Sequence, residues 1–333
     1  MQVYELHGAR GLQSVVASKR PEPVPLRGQV LIKMRAWSLN YRDLLIINNN
    51  YGGLSPDRIV ALSDGAGEVV QVGSDVSRFK VGDRVSPTFS TTWIAGGMSA
   101  NDLSTSRGGV VDGVLAEFVA CDERHAVRIP DYLSLQEAAC LPCAGVTAYN
   151  ALFGPRPLIS GQTVLTLGTG GVSTLAVQIA SAAGARVIAT SSSDEKLNII
   201  RRLGASEIIN YQTFPEWSDE VLRLTDGHGV DHVVEVGGGG TIDRSVASTA
   251  VGGQIHMIGV LSTGTLSPRA LIPWRTLRGI MVGSSADHEA MNAMLCVHQI
   301  RPLIGKVFSF GDAVDAYRYL QSAAHIGKVV IEL

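Results

Sequence analysis

Gly168, Gly170 and Gly171 stand between two apolar runs, Val164-Leu165-Thr166-Leu167 before them and a helix-forming stretch after them. Glycines at this spacing suit the approach of an anion to bare backbone. Gly168 permits a tight turn, Gly170 lets the main chain come close to a phosphate, and a helix opening at Gly171 and Val172 aims its free N–H groups at that charge. The chemistry so encoded is the holding of a dinucleotide by its pyrophosphate. Ser173 occupies the third small position, compact enough for close helix–strand packing.

The elements that must position this turn are legible on both sides. Thr163–Leu167 is apolar and β-compatible, and Val172, Leu175, Ala176, Ile179 and Ala180 recur at helical spacing. Gly184 stops the helix, and Arg186–Thr190 reads as a second buried strand. The whole is a βαβ unit. Its second strand runs into Ser191-Ser192-Ser193-Asp194-Glu195-Lys196. A carboxylate about 20 residues beyond the glycines binds the ribose 2′-hydroxyl of NAD. Here Ser191 stands in that place, and serines donate to a 2′-phosphate that a carboxylate repels. Ser191 and Ser192, with charge from Lys196, therefore favour NADPH over NADH. Ser192-x-x-Glu195 also reads as a capping box for the next helix.

At 333 residues, the chain is long enough for two domains. Its 28 basic and 30 acidic residues leave a net charge of −2, which argues against nucleic-acid or membrane-surface partners. No apolar run approaches the 18 or so residues of a spanning helix. The first residues lack the basic-then-apolar pattern of a secretory leader. Cys121, Cys140, Cys143 and Cys296 have no disulfide-framework spacing, so a reduced, cytoplasmic protein is expected.

Residues 1–124 are turn-rich and β-rich, with strands expected at Gln29–Ala36, Gly67–Val72, after Gly82 and over Gly113–Cys121. Residues 95–113 read as a long polar surface loop. From Ser134 helices appear at Leu135–Ala139 and Thr147–Phe153, and strands then alternate with helices to about residue 296, Val233–Val236 and Gln254–Val260 among the strands. Such alternation implies a parallel sheet covered on both faces. Residues 297–333, with a helix over Gly311–Ala323, are expected to rejoin the first domain, leaving 125–296 as the dinucleotide-binding domain. Lys328, in Gly327-Lys328-Val329-Val330, reads as a solvated strand residue.

Ser38-Leu39-Asn40-Tyr41-Arg42-Asp43, Asp64-Gly65-Ala66-Gly67, Val81-Gly82-Asp83-Arg84-Val85, Leu141-Pro142-Cys143-Ala144-Gly145-Val146-Thr147, the Gly168 turn and His325-Ile326-Gly327-Lys328 occur in an order that resembles the medium-chain dehydrogenase/reductase superfamily. Asn40-Tyr41-Arg42-Asp43 resembles its quinone oxidoreductase branch. The resemblance implies an α/β chain with a β-rich GroES-like catalytic domain and a Rossmann domain with a doubly wound parallel sheet. The superfamily's alcohol dehydrogenases hold a catalytic zinc through a Cys at the place of Asn40, a His-Glu pair at Ser63-Asp64, and a Cys at Cys143. A single sulfur with an amide and a hydroxyl makes a poor zinc site. Residues 88–120 lack the four cysteines of the structural-zinc loop. No zinc is therefore expected, and Cys143 reads as a small buried hydrophobe.

Without a Lewis acid, hydride transfer suits acceptors whose product is a delocalised enolate or phenolate. The resemblance places Asn40 and Tyr51 beside the substrate and nicotinamide, with Asp43 structural. It implies cofactor contacts at Thr147, Tyr211, Gly237, Ile258, Val260 and Ser284. It also implies a homodimer paired through residues near 261–285, where Leu266–Leu277 with Trp274 suits a contact. The reading is a zinc-independent, NADPH-dependent oxidoreductase reducing a small-molecule quinone or other activated carbonyl or alkene. The alternatives are an NAD(P)-dependent alcohol dehydrogenase with an unrecognised metal site and a non-catalytic nucleotide-binding protein.

Overall fold

A computed structural model describes residues 1–52 and 57–333. The chain forms two compact units, Met1–Val146 with Val282–Leu333, and Thr147–Met281. These boundaries differ from 124/125 and 296/297 for a physical reason. Ala126–Arg128 is a strand of the first unit's sheet, paired with Arg84–Pro87. The helix Ser285–His298 likewise belongs to the first unit, where Asn292 donates to the Arg128 carbonyl and Tyr132 to those of Leu295 and Ile300.

In the first unit, Gln29–Leu39 is the central strand of a seven-stranded sheet and pairs with Asp64–Val72, Phe118–Asp122 and the C-terminal strand Lys328–Glu332. Its alternating side chains feed a core of Ile32, Met34, Trp37 and Leu39, closed by Phe310 and Tyr317 from the C-terminal segment. A smaller three-stranded sheet joins Gln2–His7 to Val15–Lys19 and Asp57–Val60. The stretch read as a surface loop over 95–113 is only partly one. Ala100–Leu103 is a short helix, and Ser106–Gly109 is buried, with Arg107 donating to the Thr88 carbonyl. The strand expected over Gly113–Cys121 begins only at Phe118.

The second unit is a six-stranded parallel sheet in the order Glu207–Asn210, Arg186–Ser191, Thr163–Leu167, Val230–Glu235, Thr249–Met257, Thr276–Gly279. Strand order reverses beside Thr163–Leu167. In open parallel sheets ligands bind at the carboxyl ends of the strands flanking that point. Leu165, Ile188, Val233 and Ile255 are fully buried, as near-continuous apolar strands covered on both faces require. No helix among the described residues is long and apolar enough to cross a membrane.

Candidate active site

At the carboxyl end of Thr163–Leu167 the chain turns through Gly168 at φ +70°, and the Gly168 amide donates to the Thr190 carbonyl at 2.9 Å. No atom lies within 4 Å of where a Cβ would stand on Gly168 or Gly170. Gly170 caps the helix Gly171–Ala182 with no side-chain hydrogen bond, and Val172 follows in its first turn. This open backbone in front of a three-turn helix fits a pyrophosphate. Ser173 donates its hydroxyl to the Leu167 carbonyl at 2.7 Å, so the residue in the third small position ties helix to strand.

Ser191 is buried at the end of its strand, and its carbonyl accepts from the Tyr211 amide at 3.0 Å. Ser191 and Tyr211 thus meet at the ends of two adjacent strands, with Ser192 next in the chain and Lys196 in the first turn of the helix that follows. Ser192 is exposed and is not the helix cap. The cap is Ser193, whose Oγ accepts from the Lys196 amide at the start of Asp194–Arg202. Asn210 donates to Asp194 at 2.7 Å and holds that carboxylate. Asn210 escaped the sequence reading because a lone Asn at a strand end is an ordinary turn residue.

Gly237 follows the strand Val230–Glu235. Its amide and that of Gly238 both donate to Glu235 Oε1, at 2.7 and 3.0 Å, as does the Thr241 hydroxyl at 2.7 Å. Ser245 donates to the other carboxylate oxygen. Glu235 is fully buried and shapes this strand end, a role no local motif announced. The Ile258 amide donates to the Glu235 carbonyl, while Val260 is 64% exposed. Thr147 is buried in the helix Val146–Phe153. Ser284 lies in the other unit, and its hydroxyl is occupied in a reciprocal cap with Asp287.

In the first unit, Asn40 ends the strand Gln29–Leu39 and opens the helix Tyr41–Ile47. Its backbone N–H donates to Asp43 Oδ2 at 2.7 Å, so Asp43 is structural. Burial pushes the Asp43 carboxyl up to about 6. Arg42 is buried with its guanidinium 5.0 Å from the Tyr51 ring and 4.6 Å from the Phe89 ring, and it donates to the Arg107 carbonyl. The Tyr51 ring thus packs against a buried cation.

Lys328 is not solvated. It is 3% exposed, and its Nζ donates to the Leu39 carbonyl at 2.7 Å and to Asn40 Oδ1 at 2.5 Å. Antiparallel pairing of Val329 with Leu39 brings this lysine to Asn40 across 288 residues of chain. Asp64 Oδ2 lies 3.9 Å from the ammonium and accepts from the Cys143 amide, while Ser63 donates to Oδ1. The Asn40 side-chain nitrogen Nδ2 is buried and has no hydrogen-bond partner among the described residues.

The positions that would carry zinc ligands are thus gathered round a lysine. Burial, with the Asp64 charge adding to it, pushes the Cys143 thiol up to about 12, so it resists becoming a thiolate. An ammonium beside Asp64 and Asn40 opposes a second cation there. Among the described residues, no three His, Cys, Asp or Glu side chains converge as a metal site needs. This donor set does not fit zinc.

Two family models match the chain: an alcohol dehydrogenase GroES-like domain over residues 26–131 and a zinc-binding dehydrogenase over 171–296. A zinc-type alcohol dehydrogenase-like protein of Schizosaccharomyces pombe is 44% identical over 315 residues, covering 92% of this chain and 91% of that one. A quinone oxidoreductase of Pongo abelii is 26% identical over 100% of this chain and 97% of its own length. A crystal structure of an NAD-dependent alcohol dehydrogenase superposes with a TM-score of 0.90 at 29% identity, covering 100% of both chains.

Proposed function

Because the chain belongs to the medium-chain dehydrogenase/reductase superfamily, we propose that it transfers hydride from NADPH, without zinc, to a quinone or another activated carbonyl or alkene. The observation that carries this reading is the buried Lys328 ammonium hydrogen-bonded to Asn40 where a metal's donors would have to converge. Hydride addition to a simple ketone leaves a localised alkoxide that calls for a Lewis acid. Addition to a quinone or enone leaves a delocalised oxyanion, which hydrogen-bond donors hold. The unpartnered Asn40 amide is such a donor.

Bound NADPH would supply the hydride. The Gly168–Gly171 turn and the first amides of Gly171–Ala182 hold its pyrophosphate. Ser191, Ser192, Lys196 and Tyr211 receive the 2′-phosphate, and Thr147, Gly237, Ile258 and Val260 lie along the nucleotide. The Ser284 hydroxyl is already committed to Asp287, which leaves that residue to its cap. Four free cysteines support a reducing compartment such as the cytoplasm. A homodimer is supported by the edge strand Thr276–Gly279 and by Ile272 and Trp274, 71% and 83% exposed. Light scattering reads that state directly, and Trp274→Glu should yield monomer.

The test is NADPH and NADH oxidation at 340 nm by metal-stripped protein against a panel of small quinones and enones. Turnover that prefers NADPH and survives chelation upholds the reading. The 44% identical relative's zinc-type name favours a second one, a metal-dependent alcohol dehydrogenase. Stoichiometric zinc with chelator-sensitive alcohol oxidation would establish it. NADPH binding without turnover on either panel would point to a non-catalytic role.

A further inference from the structure

Lys328 has more than a counter-charge to offer. A primary ammonium has three N–H donors and no acceptor. Two of them are used, on the Leu39 carbonyl and on Asn40 Oδ1. Because an ammonium only donates, the Asn40 atom facing it must be the amide oxygen. The NH2 of Asn40 is thereby turned away from Lys328, and both its hydrogens lack partners among the described residues although the nitrogen is buried. Native folds rarely leave a buried donor so, and those that persist tend to mark a ligand's place. Asp64, fully buried, sets its carboxylate 3.9 Å from the ammonium.

We propose that Lys328 is a positioning residue that locks the Asn40 amide with its donors turned away from the ammonium, making Asn40 and the adjoining ammonium an anion-stabilising pair for the oxygen of the reduced acceptor. The inference rests on the hydride-transfer reading above and names its specificity: acceptors whose reduced form carries negative charge on oxygen. The step balances. The acceptor carbon gains a hydride with its electron pair, and the nucleotide is oxidised to NADP⁺. The conjugated oxygen takes the charge under the Asn40 N–H groups, and a solvent proton then neutralises it. Asp64 keeps the ammonium in register and touches no substrate.

The experiment uses 4-nitrophenol as an inert probe of the oxygen site, read by its phenolate absorbance across pH with and without NADP⁺. NADPH binding by fluorescence, melting temperature and steady-state rates are measured in parallel. The full chain should bind the probe as phenolate at a pH at least one unit below that of the free phenol. Asn40→Asp keeps the shape and the Lys328 contact while deleting both donors, so it should abolish the phenolate shift and lower kcat about 100-fold with KM for NADPH unchanged. Lys328→Met frees the amide to rotate and should cost about as much. Lys328→Gln, which still donates to Asn40 Oδ1, should recover about a tenth of the wild-type rate or more. Probe binding without a shift, no probe binding, or folded variants that keep wild-type kcat would each overturn the proposal. Failure of the wild-type chain to bind NADPH, with the phenolate shift intact, would instead bring down the hydride-transfer reading.

Discussion

The Gly168 turn and the Lys328 cluster are opposite ways of building a site. The turn is almost all backbone: a glycine at positive φ, open space where side chains would be, and amides at the head of a helix. Its parts lie next to one another in the chain. The cluster is built mainly of side chains, with Asn40 from a strand-to-helix junction and Asp64 and Lys328 from two strands, tied in by the Cys143 amide and the Leu39 carbonyl. A backbone site tolerates exchange of its surroundings but not of its glycines. A side-chain site of buried opposite charges has each member holding the next, so loss of one exposes the others. The two should therefore break differently.

Among single substitutions, the largest effect is expected at Asp64. Asp64→Leu leaves the buried Lys328 ammonium without its carboxylate and the Cys143 amide without its acceptor. Breaking one half of a buried pair typically costs about 3–5 kcal/mol. Urea unfolding should show that loss, and adding Lys328→Met should restore most of it, because the stranded charge goes too. A double variant no better than Asp64→Leu alone would mean the two are not coupled and the contrast between the sites fails.

The effect of pH, by contrast, belongs to both units. Burial pushes His125 down to about 4 and His288 to about 3 in the first unit, and His232 to about 4 and His256 to about 3 in the second. A histidine depressed in the folded state stabilises fully above its unfolded value near 6.5 and loses that contribution as pH falls. Between pH 6.5 and 5, each such group withdraws about 2 kcal/mol. Asp43 runs the other way. Raised to about 6, it adds stability as pH falls from there towards 4. The four histidines outweigh it, so the melting temperature should fall steadily below pH 6.5. A flat profile from pH 7 to 5 would show that these rings are solvated in the native protein.

What the sequence disclosed follows the same division. The parallel sheet, the glycine turn and the strand-end serines were legible because local spacing alone encodes them. The chemistry around Asn40 was visible only as a residue type. Lys328 read as a surface strand residue because only antiparallel register, Val329 against Leu39, brings it inward. Glu235 was hidden similarly. A carboxylate at the end of an apolar strand looks like the strand's exit to solvent until Gly237, Gly238, Thr241 and Ser245 are seen to surround it. The stretch 95–113 misled for a related reason. Polar composition signalled exposure, yet Arg107 and Ser106 are buried because neighbouring groups satisfy them, the Thr88 carbonyl among these.

The backbone site should fail in affinity more than in stability. At φ +70°, any Cβ on Gly168 is strained, and a β-branched one most of all. The same Cβ would enter the open space above the turn. Gly168→Val should weaken NADPH binding by about 10- to 100-fold, equivalent to about 1.4–2.7 kcal/mol, while leaving the phenolate probe's behaviour at Asn40 intact. Fluorescence titration of both ligands on one variant separates the sites. If both affinities fell together, the two would share a single dependence and the contrast would be lost.

The smallest effect is the most discriminating. Ser191 sits buried at a strand end, its carbonyl accepting from the Tyr211 amide; on the proposed reading its hydroxyl serves a 2′-phosphate that a carboxylate there would oppose. Asp194 and Glu195 already lower the local positive potential, but Asn210 holds Asp194, so Lys196 has less opposition than the bare sequence implies. Ser191→Asp should move the ratio of NADPH to NADH affinity by about tenfold towards NADH, about 1.4 kcal/mol, with kcat on the favoured quinone held within about twofold because no group at Asn40 has changed. An unchanged ratio would place cofactor choice on Lys196 or Tyr211 instead, and Lys196→Ala would then be the decisive variant. An accompanying fall in kcat would mean that the nucleotide's adenosine end and the acceptor's oxygen are not independent, and that the side-chain site senses what the backbone site holds.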